Sequence, residues 1–137
     1  MLAPIDYQRL NVLVIEDQDL IREIVVAILR TLACRVIRPA ADGEAALKLV
    51  AEEAPNLILC DIDMKPMNGL QFVEELQKRG FRDAKRIPTI FLTAHSNAEL
   101  VRRAKLLGVD AYVVKPVKRA LLEERIRHVL GSQGPTT

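Results

Sequence analysis

LILCDIDMKPMNG, residues 57–69, decides how this chain folds. Leu57, Ile58, Leu59 and Cys60 form a short apolar run of buried-strand length, and the run stops abruptly at Asp61 and Asp63. An ionised carboxylate is costly to bury unless it is paired, protonated or bound to a metal. The segment therefore reads as a core strand that delivers acids to one end of a sheet. Gly69 follows a turn-like stretch, and Leu70, Phe72, Val73 and Leu76 then predict a helix ending near Gly80.

Working outward, the same unit recurs. NVLVIE (11–16) is a second apolar run ending in an acid, followed by Leu20, Ile21, Ile24, Val25, Ile28 and Leu32 at helical spacing, with Asp19 placed to cap that helix or favour its dipole. CRVIRPA (34–40) reads as a short strand, and Asp42 as the cap of a helix through Ala45, Ala46, Leu49 and Val50 that stops before Pro55. IPTIFLTA (87–94) is a fourth strand, with Pro88 tolerable at its start or on an edge. Asn97 can cap a helix carrying Val101, Ala104 and Leu107, with Gly108 as its stop. DAYVVK (110–115) is a fifth strand, and Leu121, Leu122, Ile126, Val129 and Leu130 mark a last helix.

Five βα units in a row imply a parallel sheet with helices on both faces. The expected fold is α/β, a doubly wound, flavodoxin-like (βα)5 domain with strand order 2-1-3-4-5. The expected organisation is an N-terminal extension (1–10), one domain (11–131) and a flexible tail (132–137). At 137 residues the chain is too short for two ordinary domains.

Composition narrows the classes. Half of the residues are apolar and aromatics are scarce, so Leu, Ile, Val and Ala must build the core. No apolar stretch approaches the ~20 residues of a membrane span, and the N-terminus lacks the layout of a secretory signal. Cys34 and Cys60, with no CxxC spacing, suggest reduced thiols in a cytoplasmic protein rather than disulfides or zinc. The net charge of +2 hides an asymmetry: residues 1–77 hold 7 Lys/Arg against 13 Asp/Glu, and residues 78–137 hold 13 against 5. An acidic site in the first half and a basic docking face in the second would account for it.

In open α/β sheets ligands bind beyond the carboxyl ends of the strands, where strand order reverses. That crevice would collect Glu16 and Asp17 from strand one, Asp61 from strand three, Thr93 from strand four and Lys115 from strand five. Crowded oxygen ligands without His or Cys suit a hard cation, above all Mg²⁺. Metal, lysine and hydroxyl together can stabilise a phosphoryl group, with one carboxylate as nucleophile.

Glu16-Asp17, Asp61 with Met64 and Gly69, Thr93-Ala94 and Lys115-Pro116, in this order at predicted strand ends, resemble the receiver domain of two-component response regulators. The resemblance runs from about Val12 to Leu130. It implies that Asp61 accepts a phosphoryl group from a histidine kinase or a histidine phosphotransfer protein. It further implies that Asp17, Asp61 and the backbone carbonyl of Asp63 hold Mg²⁺, with Glu16 acting through water. Thr93, Ala94 and Lys115 would contact the phosphoryl group, Tyr112 would move inward with Thr93, and the Lys115–Pro116 bond would be cis. Asp63 and His95 would tune dephosphorylation. The sequence departs from the family pattern at Lys65, which separates Met64 from Pro66.

A chain ending soon after its fifth helix suggests a stand-alone regulator. It would act through a protein target on the face of helix four, strand five and helix five, as a monomer or a phosphorylation-dependent dimer. The alternatives are the receiver portion of a larger regulator and a haloacid-dehalogenase-like phosphatase using Asp61 and Asp63. The phosphatase family, however, places its Asp-x-Asp on the first core strand and its acidic pair later. Flavin binding lacks a phosphate-cradling loop, since EDQDL follows strand one. No helix-turn-helix or aromatic-rich RNA motif accompanies the basic residues, so no specific nucleic acid is expected. His128 reads as a surface residue of the last helix and Cys60 as a core residue.

Overall fold

The computed structural model describes residues 5–80, 87–94 and 98–132. Five strands alternate with five helices: β1 (Asn11–Ile15), α1 (Asp19–Thr31), β2 (Val36–Ala40), α2 (Gly43–Glu52), β3 (Leu57–Asp61), α3 (Gly69–Arg79), β4 (Thr89–Thr93), α4 (Ala98–Leu106), β5 (Ala111–Val114) and α5 (Arg119–Ser132). All pairings are parallel, in the order β2-β1-β3-β4-β5. The doubly wound architecture expected from the sequence is the architecture observed. The chain winds outward from β1 to β2, then crosses back to place β3 on the other flank of β1. That reversal opens the crevice between β1 and β3.

Every residue of β1, β3 and β4 is buried, because these central strands are covered on both faces. Alternate residues serve two cores. Leu13, Ile15, Ile58, Cys60 and Phe91 pack under α2, α3 and α4 with Leu47, Phe72 and Leu76. Val12, Val14, Leu59, Leu92 and Val113 pack under α1 and α5 with Val25, Leu29, Leu122 and Ile126. The edge strands β2 and β5 are only partly covered, and Pro39 lies on the edge strand β2.

Local chemistry sets the helix ends. Asp42 accepts the Ala45 N–H at the start of α2. Asn68 and Gln71 form a reciprocal capping box on α3, which ends at Gly80 with φ +65. Gly108, with φ +85, follows α4. The side-chain Nε2 of Gln77 on α3 donates to the Leu107 carbonyl at 2.8 Å and so ties down the end of α4.

Several expectations need correction. Gln18 precedes α1 without a side-chain cap, so Asp19 is not the cap; it is the first helical residue, an acid in the first turn where it favours the dipole, and it pairs with Arg22 at 2.7 Å. Leu20 and Ile24 belong to the helical repeat yet are 69% and 44% exposed, while Val26 and Leu29 are buried. The apolar face of α1 is therefore rotated toward Val25, Val26 and Leu29, which meet the sheet. The second strand starts at Val36, not Cys34, because Ala33 (φ +65), Cys34 and Arg35 turn the chain out of α1. Pro88 precedes β4, and its carbonyl accepts the Ile58 N–H. Ser132, assigned to the tail, is the last residue of α5, and residues 133–137 lie outside the described residues. The cap expected at Asn97 and the tuning role expected of His95 fall on residues that also lie outside them.

The segment before β1 is structured over residues 5–10. A 3-10 turn, Tyr7–Arg9, is capped by Asp6, and the Tyr7 carbonyl accepts the Arg35 N–H. Among the described residues no helix is long and apolar enough to cross a membrane.

Candidate functional site

Ladder geometry carries the polar residues to one edge. Asp61 is the last residue of β3, and Ile62 N–H still bonds the Leu92 carbonyl at 3.0 Å, so the β3 end is pinned beside β4. Glu16 follows β1, with its N–H on the Ala40 carbonyl. Lys115 follows β5 and donates its N–H to the Thr93 carbonyl at 2.7 Å. The Lys115–Pro116 and Lys65–Pro66 bonds are both cis.

These placements bring Glu16, Asp61 and Lys115 into contact. Lys115 Nζ lies 2.7 Å from Glu16 Oε1 and 3.2 Å from Asp61 Oδ1. The Asp63 N–H donates to the same Asp61 Oδ1 at 3.1 Å, so the two oxygens of that carboxylate are not equivalent. The Gln18 N–H donates to Glu16 Oε2 at 3.1 Å. Glu16 Oε1 is sealed from solvent, and the Lys115 ammonium stands against it at 2.7 Å.

Burial dominates the titration. It pushes Glu16 up to about 7, against the opposing pull of Lys115 and of the Gln18 N–H, with the Asp61 carboxyl adding to the rise. Burial disfavours the Lys115 ammonium, but Glu16 and Asp61 outweigh it, and the lysine ends above its ordinary value. Cys60, beside Asp61 in sequence, is wholly buried in the core layer with Ile62, Met64 and Phe72. Burial and the nearby carboxylates hold its thiol well above the usual range, which keeps it protonated and inert.

Asp17 is exposed at the mouth of the crevice. One carboxylate oxygen each from Glu16, Asp17 and Asp61 lies within 4.8 Å of the others. An all-oxygen set of three acids, one of them driven toward protonation by burial, fits a small hard divalent cation. Asp63 presents its carboxylate to solvent while its N–H faces Asp61.

Gly69 explains why the β3–α3 loop can close over this edge. Its N–H bonds the Ile62 carbonyl at 3.0 Å, and a Cβ there would stand 2.8 Å from the Asp61 carbonyl oxygen and 2.9 Å from Ile62 Cα. Met64 is buried beneath the loop, and Lys65 and Pro66 are exposed. The extra lysine is accommodated outward, leaving the path from Asp61 to Gly69 intact.

Thr93 is buried at the end of β4 and Ala94 is exposed just beyond it. Thr93 also borders a groove of about 370 Å³ between α4 and α5, together with Ile62, Phe91, Lys105, Tyr112 and His128. Tyr112 is 37% exposed on β5 and pairs in register with Phe91. The groove thus runs from the inner edge of the site to the outer surface.

Two contributors escaped the sequence reading. The Gln18 backbone donor has no sequence signal, since any residue but proline supplies it. Arg22 donates Nη1 to the Glu16 carbonyl at 2.8 Å, a contact visible only once α1 is placed.

Residues 12–127 match the family model described as the response regulator receiver domain. Among curated proteins, the chain is 39% identical over 90% of its length to "Probable transcriptional regulator ycf27" of Porphyridium aerugineum, of which it spans 49%. It is 29% identical over 91% of its length to "Probable chemotaxis protein CheY" of Rhizobium etli, of which it spans 95%. Among solved structures it resembles the chemotaxis protein CheY4 of Vibrio cholerae, with TM-score 0.83 at 27% identity, covering 89% of this chain and 99% of that one. The chain thus spans about half the length of the first relative and nearly all of the second.

Proposed function

Because this chain belongs to the response regulator receiver domain family, we propose that Asp61 accepts a phosphoryl group from the phosphohistidine of a histidine kinase or phosphotransfer protein. The observation that carries this reading is the convergence on one carboxylate. Asp61 Oδ1 takes Lys115 Nζ and the Asp63 N–H, while Glu16 and Asp17 stand within metal-sharing distance.

An Asp61 oxygen attacks phosphorus as the N–P bond of the donor imidazole breaks, and the bonding pair returns to the imidazole nitrogen. The product is an acyl phosphate. Asp17, Asp61 and the Asp63 carbonyl would hold Mg²⁺, with Glu16 acting through water; when bound, the ion neutralises charge on the phosphoryl oxygens. Lys115 leaves its contact with Asp61 to meet a phosphoryl oxygen, and the Thr93 hydroxyl and Ala94 backbone supply further contacts. Burial of Glu16 and Asp61 excludes water, which strengthens each of these electrostatic contacts.

Withdrawal of Thr93 toward the phosphoryl group vacates part of the α4–α5 groove, and Tyr112 follows it inward. Phosphorylation thereby favours one of two arrangements of the α4–β5–α5 face. That face carries Arg102, Lys105 and Arg125, so an acidic protein partner suits it.

The test is incubation with a small phosphodonor and Mg²⁺ followed by intact mass. Wild type gains one phosphoryl group and Asp61→Asn gains none, and chelator blocks the gain. Repeated release of phosphate from small phosphoesters would instead support phosphatase chemistry at Asp61 and Asp63.

A further inference from the structure

The turn that carries Asp17 is three residues long, Glu16 to Gln18, and one residue grips both of its ends, by its side chain at Glu16 and by its backbone at Gln18. Arg22, in the first turn of α1, donates Nη1 to the Glu16 carbonyl at 2.8 Å and Nη2 to Asp19 Oδ1 at 2.7 Å. Its own backbone N–H bonds the Gln18 carbonyl at 2.9 Å. The Arg22 side chain is 20% exposed and touches neither Asp17 nor Asp61 within ion-pair distance, whereas Asp19 is largely solvated.

We propose that Arg22 is a positioning residue for the divalent cation, acting through the Glu16–Asp17 peptide; the inference rests on the Mg²⁺-dependent reading of the site. The Glu16 carbonyl and the Asp17 N–H belong to one rigid peptide plane. Holding that carbonyl fixes the plane and restricts the directions open to the Asp17 side chain. Asp17 is the exposed member of the acidic trio, so its orientation depends more on its backbone than that of the buried Glu16 or Asp61. Freed of Arg22, the turn must be ordered at the expense of cation affinity.

Charge and geometry predict opposite signs, which makes the idea decidable. A guanidinium near a cation site repels the cation, so deleting it for charge alone would leave Mg²⁺ binding unchanged or tighter. Asp19 already neutralises the guanidinium at 2.7 Å, which shrinks that effect. Loss of positioning weakens binding. Lysine keeps the charge but lacks the planar fork that reaches two acceptors at once, so Arg22→Lys separates the two causes.

The experiment measures Mg²⁺ affinity of the full chain by calorimetry and the Mg²⁺ concentration giving half-maximal phosphorylation by a small phosphodonor. Circular dichroism and melting in chelator confirm that each variant is folded. Both Arg22→Ala and Arg22→Lys should weaken Mg²⁺ binding about 10-fold, as loss of an outer-sphere support does at metal sites. Their rate at saturating Mg²⁺ should stay close to wild type. If Arg22→Ala fails to fold, Arg22→Lys carries the test. Unchanged or tighter binding in the folded variants, or a lower saturated rate with unchanged Mg²⁺ dependence, overturns the inference alone. Absence of Mg²⁺ binding by wild type overturns the reading of the site and the inference with it.

Discussion

Lys115 Nζ sits 2.7 Å from Oε1 of a Glu16 that solvent does not reach. The pair is the electrostatic hinge of the site, because the same ammonium also touches Asp61. Removing one partner of a buried pair strands the other charge, at a cost of about 3–5 kcal/mol. Lys115→Met should therefore destabilise the metal-free protein most at about pH 8 and above, where Glu16 is ionised. The loss should be smaller near pH 5, where Glu16 holds a proton. Urea unfolding at the two pH values measures the difference; equal losses at both would contradict the pairing.

Glu16 itself gives a pH signature with a definite sign. Its ordinary value of 4.5 is raised to about 7 in the fold, so the folded chain keeps a proton that the unfolded chain has lost. Its unfavourable contribution is absent below about pH 4.5, grows from there, and is complete above about 7. Glu16→Gln should become more stable relative to wild type as pH rises through that window, in chelator. Parallel melting curves of the two proteins across it would show that Glu16 ionises normally.

Gly69→Ala tests the loop closure. The added methyl would press on backbone atoms, the Asp61 carbonyl and Ile62 Cα, which cannot rotate away as a side chain can. Overpacking of this kind costs about 1–3 kcal/mol. The variant should melt earlier and accept phosphoryl groups more slowly, because Asp61 is part of the displaced backbone. A neutral substitution would show that the loop has slack.

Ala33→Gly addresses the turn out of α1. Ala33 holds φ +65, where a Cβ is strained, and its N–H and that of Cys34 bond back to the last turn of the helix. Relief of the left-handed strain, about 1–2 kcal/mol, exceeds the extra entropy glycine loses on folding. Thermal melting should therefore show a modest rise for Ala33→Gly, whereas Ala33→Val, β-branched in the same conformation, should fall.

The legible parts of the sequence were those where one residue type implies one environment. Apolar runs ending in acids marked β1 and β3, and Asp42 and Gly108 sat beside the helix ends that their chemistry favours. α1 was harder: Leu20 and Ile24 satisfy the same spacing as Val25 and Leu29, and periodicity cannot say which of two neighbouring stripes meets the sheet. The start of β2 was misplaced because the left-handed turn is made by alanine, which gives no signal where glycine would.

The chain by itself determined the five alternating units and the strand ends at which Glu16, Asp17, Asp61, Thr93 and Lys115 stand. It could do so because strand length, helix period and the cost of burying charge are local properties. Only the tertiary structure decided that Lys115 bridges Glu16 and Asp61, that Glu16 is desolvated while its neighbour Asp17 is not, and that Arg22 reaches back to the Glu16 carbonyl. Those facts depend on distances between residues far apart in the chain and on how completely water is excluded, and folding settles both at once.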